Sequence, residues 1–352
     1  MEEANKKQTS TMSEAQKFDA AITDLMAEMT SSLYQNPETR DAGAWFNEML
    51  NHALIHGKNN RGLTVVLTYK MLNDQVTAED LKLARILGWC VELLQYYFLV
   101  VDDIMDFSET RRGRVCWHKK ENVGMIAVND SFYAESCIYT ILKKYFREKP
   151  YYAHILELFH ETTMQSAIGQ NLDTTTALSD GTADFSKFTM DRYSAIVKWK
   201  TAYYSFYFPV ALALHMAGIN DPPRHDNAKR ILLQMGHFFQ VQDDFIDCYG
   251  DPEVTGKIGT DIADNKCSWL IVQALKLADS QQLKLLKEVY GHHDAEKTRQ
   301  VEDIYRDLDL KKVYEEYENS SYEELCHTIA KCDNLPTDIF YEFAKKIYKR
   351  KM

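Results

Sequence analysis

Residues 81–101, LKLARILGWCVELLQYYFLVV, are apolar nearly all round at helical spacing, and a helix of that kind is buried on every side. Such an element needs a shell of other helices, and the rest of the chain supplies one. There are only 14 Gly and 7 Pro in 352 residues, and apolar positions recur at three and four rather than two. The expected class is all-α, a single-domain helical bundle over residues 13–352 behind a disordered leader, 1–12. A chain this long can bury a large core.

The buried run ends in DDIMD (Asp102, Asp103, Asp106), and a second apolar helix ends in DDFID (Asp243, Asp244, Asp247). On a helix, residues four apart lie about 40° apart around the axis and about 6 Å along it. Asp102 therefore pairs with Asp106, and Asp243 with Asp247. One DDxxD is commonly a solvated helix end. Two, each leaving a core helix, crowd carboxylates where repulsion and desolvation are costly unless cations compensate. Magnesium prefers oxygen ligands and is usually held by a few carboxylates plus substrate phosphates. Two claws on one cavity would grip a diphosphate.

Other residues fit the same chemistry. Gln95 is two turns before Asp102 on the same stripe, and alone it would be read as a core glutamine satisfying its own hydrogen bonds. Arg111 and Arg112 follow the first motif in a loop-like segment, and arginine's planar fork suits phosphate. Lys58 and Arg61 sit in the turn GKNNRG, and Lys200 sits among aromatics, where a snorkelling lysine is equally at home. Lys257 and Lys266 flank a Gly- and Asp-rich segment. Thr255, Gly256 and Lys257 hint at a P-loop, but the spacing from Gly250 is one too long and Ile258 stands where Ser or Thr is needed.

The net charge of −11 argues against nucleic acid as the partner. Seven cysteines without a CxxC pair give neither a disulfide framework nor a zinc site, which points to a reducing cytoplasm. The N-terminus lacks signal- or transit-peptide character, and no apolar run was expected to reach the 18–20 residues of a membrane span.

Five stretches carry a family resemblance: GKNNRG, LLQYYFLVVDDIMDFSETRRG, GQNLD, KWKTAYYSFY, and FFQVQDDFID with VTGKIGTDIADNKCSW. In this order they resemble the farnesyl diphosphate synthases of the trans-isoprenyl diphosphate synthase family. The resemblance implies the isoprenoid synthase bundle with a central cavity, a homodimer, and three Mg2+, with Mn2+ as a substitute. It implies that Asp102, Asp106 and Asp243 hold metal, with Asp247 a further or water-mediated ligand. Arg111, Lys200, Lys257 and Lys266 would bind the allylic diphosphate, with Thr201 and Gln240. Lys58, Arg61, Gln95 and Arg112 would bind isopentenyl diphosphate. Oxygen dipoles of Lys200, Thr201 and Gln240 would steady an allylic cation, and Tyr97 and Phe98 would floor the chain-length pocket.

His56, Tyr96, Val101 and His237 depart from the family pattern while the charged set stays intact. A geranyl diphosphate synthase, a terpene synthase of the same fold, and a non-catalytic partner subunit are the competing readings.

Overall fold

The computed structural model describes residues 12–54, 57–177, 184–251 and 259–348. It is helical almost throughout, as the apolar spacing predicts; its one sheet among the described residues is a two-stranded hairpin. The chain groups into two compact units, residues 1–160 with 209–220, and residues 161–208 with 221–352. Two of these boundaries fall inside helices rather than in linkers.

The first unit opens with α1 (Glu14–Gln35). The expected cap is present: Ser13 accepts from the Gln16 N–H, and the Gln16 side chain returns to the Ser13 N–H. Helices α2 (Arg40–Leu54), α3 (Asn60–Leu72) and α4 (Ala78–Met105) follow, then strands β1 (Thr110–Arg111) and β2 (Arg114–Val115), a 3-10 turn at Trp117–Lys119, and α5 (Ile126–Phe146).

Helix α4 is the buried run. Thr77 and Asp80 cap its start reciprocally, and almost every residue from Leu83 to Tyr96 is buried. By length and composition α4 is long and apolar enough to cross a membrane, which corrects the expectation that no run would be. Yet most of its apolar stretch is buried within the protein, as suits a core helix. Helix α3 crosses α4 at two glycines: a Cβ on Gly62 would stand 2.5 Å from the Gly88 carbonyl oxygen. The Phe18 ring of α1 stacks on Trp89 at 4.7 Å, and the Trp89 indole donates to the Phe18 carbonyl at 2.8 Å.

Helix α6 (Tyr152–Thr176) begins in the first unit and ends in the second. After α7 (Met190–Ile196) the chain widens into a π-helical stretch, Val197–Tyr207, and continues as α8 (Phe208–Met216). Pro209 was expected to kink a single long helix. Instead the Phe208 N–H reaches back five residues to the Tyr203 carbonyl, so the ladder has already changed pitch before the proline.

Asn220 to Pro223 reads as a break, with a helix expected from about Asp226. The prolines in fact start α9 (Pro222–Tyr249), because proline's fixed φ suits the first helical turn and Asp221 accepts from the Arg224 N–H. Five helices close the chain: α10 (Trp269–Leu277), α11 (Ser280–Val289), α12 (Ala295–Asp307), α13 (Leu310–Ala330) and α14 (Asp338–Ile347). The core of the second unit is aromatic, with Phe245 stacked on Tyr314 at 3.7 Å and Tyr193, Trp269, Tyr290 and Tyr305 buried.

Candidate active site

In the first unit the DDxxD acids sit on the last turn of α4, with Asp106 as its C-cap. They are not equivalent. Asp103 points inward, is buried, and takes both Nε (2.8 Å) and Nη2 (2.5 Å) of Arg111. Asp102 is half-buried and shares Nη2 at 3.2 Å, while Asp106 is exposed. The chain leaves the helix through Phe107, 73% exposed in the left-handed region at φ +54.

The arginine segment is a hairpin rather than the loop expected. Arg112 (φ +54) and Gly113 (φ +71) form its two-residue turn, and positive φ at both positions matches the twist of paired strands. A Cβ on Gly57 would lie 2.6 Å from Arg112 Nη1, so the GKNNRG segment runs against that guanidinium. This segment is shorter as a turn than expected: Asn59 precedes α3 at its N-cap position with no side-chain cap, donating instead to Asp19, and Arg61 and Gly62 are already helical.

Gln95, Arg111 and Arg112 line one cavity with Glu92, Asn59, Asp103, Tyr96 and Trp117. Arg111 and Arg112 were expected on different diphosphates, and here both face this cavity. Glu92, which the sequence reading passed over, ties the wall together: it accepts from the Gly62 N–H at 2.7 Å and from Gln95 Nε2 at 3.0 Å. Burial raises its pKa, opposed by the Gly62 hydrogen bond and by Arg61 and Arg112. A charged residue three before Gln95 within an apolar run was the available signal. Lys58 is exposed and Arg61 half-buried. Tyr97 and Phe98 are half-buried one turn before Asp102, their rings 5.2 Å apart.

The second unit repeats the division of labour. On α9, Asp244 is buried and accepts from Gln240 Nε2 (2.9 Å) and the Trp269 N–H (2.8 Å), while Asp247 accepts from the N–H groups of Thr260 and Asp261, each at 3.0 Å. Lys266 lies 3.0 Å from Asp261, and Lys200 lies 2.5 Å from Asp173, the acid of GQNLD. Burial pushes Asp261 up to about 8, with Asp247 and Asp244 adding to the effect and Lys266 opposing it. Thr201 is half-buried on the π-helical stretch. Lys257 and His56 lie outside the described residues.

The remaining departures fit without adding charge. Tyr96 is buried and Val101 half-buried. His237 sits 3.2 Å from Ser194 Oγ and 3.0 Å from Tyr317 Oη, and burial lowers its pKa. The unfolded chain then binds more protons than the native one below the ordinary histidine pKa of 6.5, so stability falls as pH drops through that value. His237→Gln is expected to reduce the loss between pH 7 and 5, by at most about 1.4 kcal/mol per pH unit, in denaturant melts. An unchanged slope would show that His237 protonates freely in the fold.

Among the described residues no three Asp, Glu, His or Cys side chains converge on one point as a ready metal cage. A cation would be held by one or two carboxylates and completed by water and phosphate oxygens, the mode magnesium favours. The residues fit such an ion. Asp261, Asp244, Asp173 and Asp243 all act on the Lys266 ammonium, Asp173 also pairs with Lys200, Asp247 lies close enough to raise Asp261, and the buried Asp261 Oδ2 has no hydrogen-bond partner.

The polyprenyl synthetase family model matches residues 43–308. The farnesyl pyrophosphate synthase of Gallus gallus is 49% identical over 340 residues, covering 96% of this chain and 92% of that one. The farnesyl diphosphate synthase of Dictyostelium discoideum is 51% identical over 316 residues, covering 87% and 82%. Among solved structures, T. brucei farnesyl diphosphate synthase superposes with a TM-score of 0.89 at 32% identity, covering 96% of this chain and all of that one. The family match spans both acidic motifs and both basic segments, and the chain belongs to the polyprenyl synthetase family of prenyltransferases.

Proposed function

We propose that this chain is a farnesyl diphosphate synthase, joining isopentenyl diphosphate head to tail with dimethylallyl and then geranyl diphosphate and releasing diphosphate at each step. The observation that carries the reading is the cavity in which Gln95 and Arg112 meet the acidic end of α4. A condensing enzyme needs a pocket for a second diphosphate; a cyclising one does not.

The family uses divalent metal. In our reading Asp102, Asp106 and Asp243 would hold three Mg2+, replaceable by Mn2+, and Asp247, which accepts from the Thr260 and Asp261 N–H groups, would be a further or water-mediated ligand. Bound metal supplies electron withdrawal from the allylic diphosphate. Arg111, Lys200, Lys257 and Lys266 take up negative charge on that leaving group as its carbon–oxygen bond breaks and the electron pair departs with it. Lys58, Arg61, Gln95 and Arg112 hold isopentenyl diphosphate so that its double bond attacks the allylic cation. Oxygens of Lys200, Thr201 and Gln240 face the cation, and the departing diphosphate accepts the final proton. Aromatic walls exclude the water that would otherwise capture the cation.

Purified protein given labelled isopentenyl diphosphate with geranyl diphosphate is expected to make farnesyl diphosphate. Volatile hydrocarbon from geranyl diphosphate alone, with no label taken up, would overturn the reading in favour of a terpene synthase. With dimethylallyl diphosphate as the allylic partner instead, labelled product that stops at ten carbons would make it a geranyl diphosphate synthase. The floor assignment has its own check: Tyr97→Ala with Phe98→Ala is expected to shift product to twenty carbons or more by chromatography, and unchanged length would refute it.

A homodimer is part of the proposal, supported by Ile126 and Phe132 of α5, apolar yet 50% and 54% exposed. So is a cytoplasmic setting, supported by seven cysteines that are all free thiols.

A further inference from the structure

Asp130 on α5 has no exposed surface, and both of its oxygens are used. Oδ1 accepts from the indole of Trp45 at 2.9 Å and Oδ2 from that of Trp117 at 2.7 Å. The two indoles meet edge to face, 6.0 Å apart at 71°. Charged acceptors make the stronger hydrogen bonds, so one carboxylate fixes two large rings from two other elements.

Trp117 connects this clamp to the cavity, whose wall it forms with Gln95, Arg111 and Arg112. The hairpin carrying both arginines has two residues per strand, too few to hold its own shape in water. Its position comes from its anchors. At its entry, Arg111 is forked onto Asp103. Along its exit, one face of α2 presents Trp45, Glu48 and His52 at spacings of three and four: Trp45 to Asp130, Glu48 to Lys120 at 2.7 Å, and the His52 ring 3.0 Å from the Val115 carbonyl oxygen. Arg112 occupies a strained left-handed turn between the two sets of anchors.

We propose that Asp130 is a positioning residue for the isopentenyl diphosphate pocket, acting through Trp117 and the hairpin to hold the Arg112 guanidinium in place. This rests on the assignment of Arg112 made above. Core packing alone would predict something different: a less stable protein whose surviving molecules bind both substrates normally.

The test is steady-state kinetics on the full-length enzyme with geranyl and isopentenyl diphosphates. In Asp130→Asn the side chain keeps its size but presents one acceptor and one donor to two indole donors. Its KM for isopentenyl diphosphate is expected to rise about tenfold, with kcat and the KM for geranyl diphosphate within about twofold of the parent. Arg112→Gln separates the two layers. If it leaves the KM for isopentenyl diphosphate unchanged, the assignment of Arg112 fails. If it raises that KM while Asp130→Asn does not, or if Asp130→Asn only lowers kcat with its melting temperature, the positioning role fails. Trp117→Phe, which keeps a ring without the donor, supplies the route: combined with Asp130→Asn it should raise the KM no further than the larger single change. Multiplicative effects would overturn the path through Trp117.

Discussion

Asp102→Ala is expected to lower kcat for condensation by about three orders of magnitude while leaving the melting temperature close to the parent's. The asymmetry follows from how Arg111 is held. Its Nε and Nη2 are both committed to Asp103, at 2.8 and 2.5 Å, and only the longer 3.2 Å contact goes to Asp102. Removing Asp102 therefore leaves the guanidinium anchored and the hairpin in place. What is lost is a half-buried carboxylate at the helix end, where a diphosphate-bound cation needs it. Asp103→Ala should behave in the opposite sense. It strips a half-buried arginine of its main partner, and because that arginine is partly solvated and keeps Asp102 the cost is about 1–2 kcal/mol of stability, visible in a thermal melt. Turnover against Mg2+ concentration, measured beside melting curves for both variants, checks the pair. Near-parental turnover in Asp102→Ala, or turnover that survives EDTA, would end the metal-clamp reading of the first motif.

The same contrast shows how far the sequence could be read. The pattern DDxxD announces clustered acid, and the apolar runs before it announce burial; both are properties of one helix and can be read along it. Which acid turns inward depends on a partner elsewhere: Arg111 for Asp103, the Trp269 N–H for Asp244. Ser13 as a cap and residues 81–101 as a buried helix were legible for the same local reason. The π-helical stretch was not, because eleven residues of changed pitch depend on the packing around them rather than on Pro209 alone. Asp130 was invisible too. Its two donors come from 85 and 13 residues away, and no spacing rule joins an aspartate to a pair of tryptophans.

Gly169 is the clearest case of a residue whose identity was plain and whose reason was not. It opens GQNLD, one turn before Asp173, and an added Cβ would stand 2.0 Å from the Lys200 nitrogen and 2.3 Å from the Trp199 carbonyl carbon. Both are backbone atoms, so no rotamer change relieves the overlap, and α6 must move away from the π-helical stretch. That movement pulls Asp173 off the Lys200 ammonium, now 2.5 Å away. Gly169→Ala is thus expected to cost about 3 kcal/mol or more in urea unfolding and to reduce kcat by about a hundredfold in the molecules that remain folded. Asp173→Asn, which keeps the helices in contact and removes only the charge, should retain most of the stability and lose activity. The two variants isolate the contact from the ion pair it delivers. Parental stability in Gly169→Ala would mean that the helices do not approach at this glycine, and the placement of Lys200 would then need another cause.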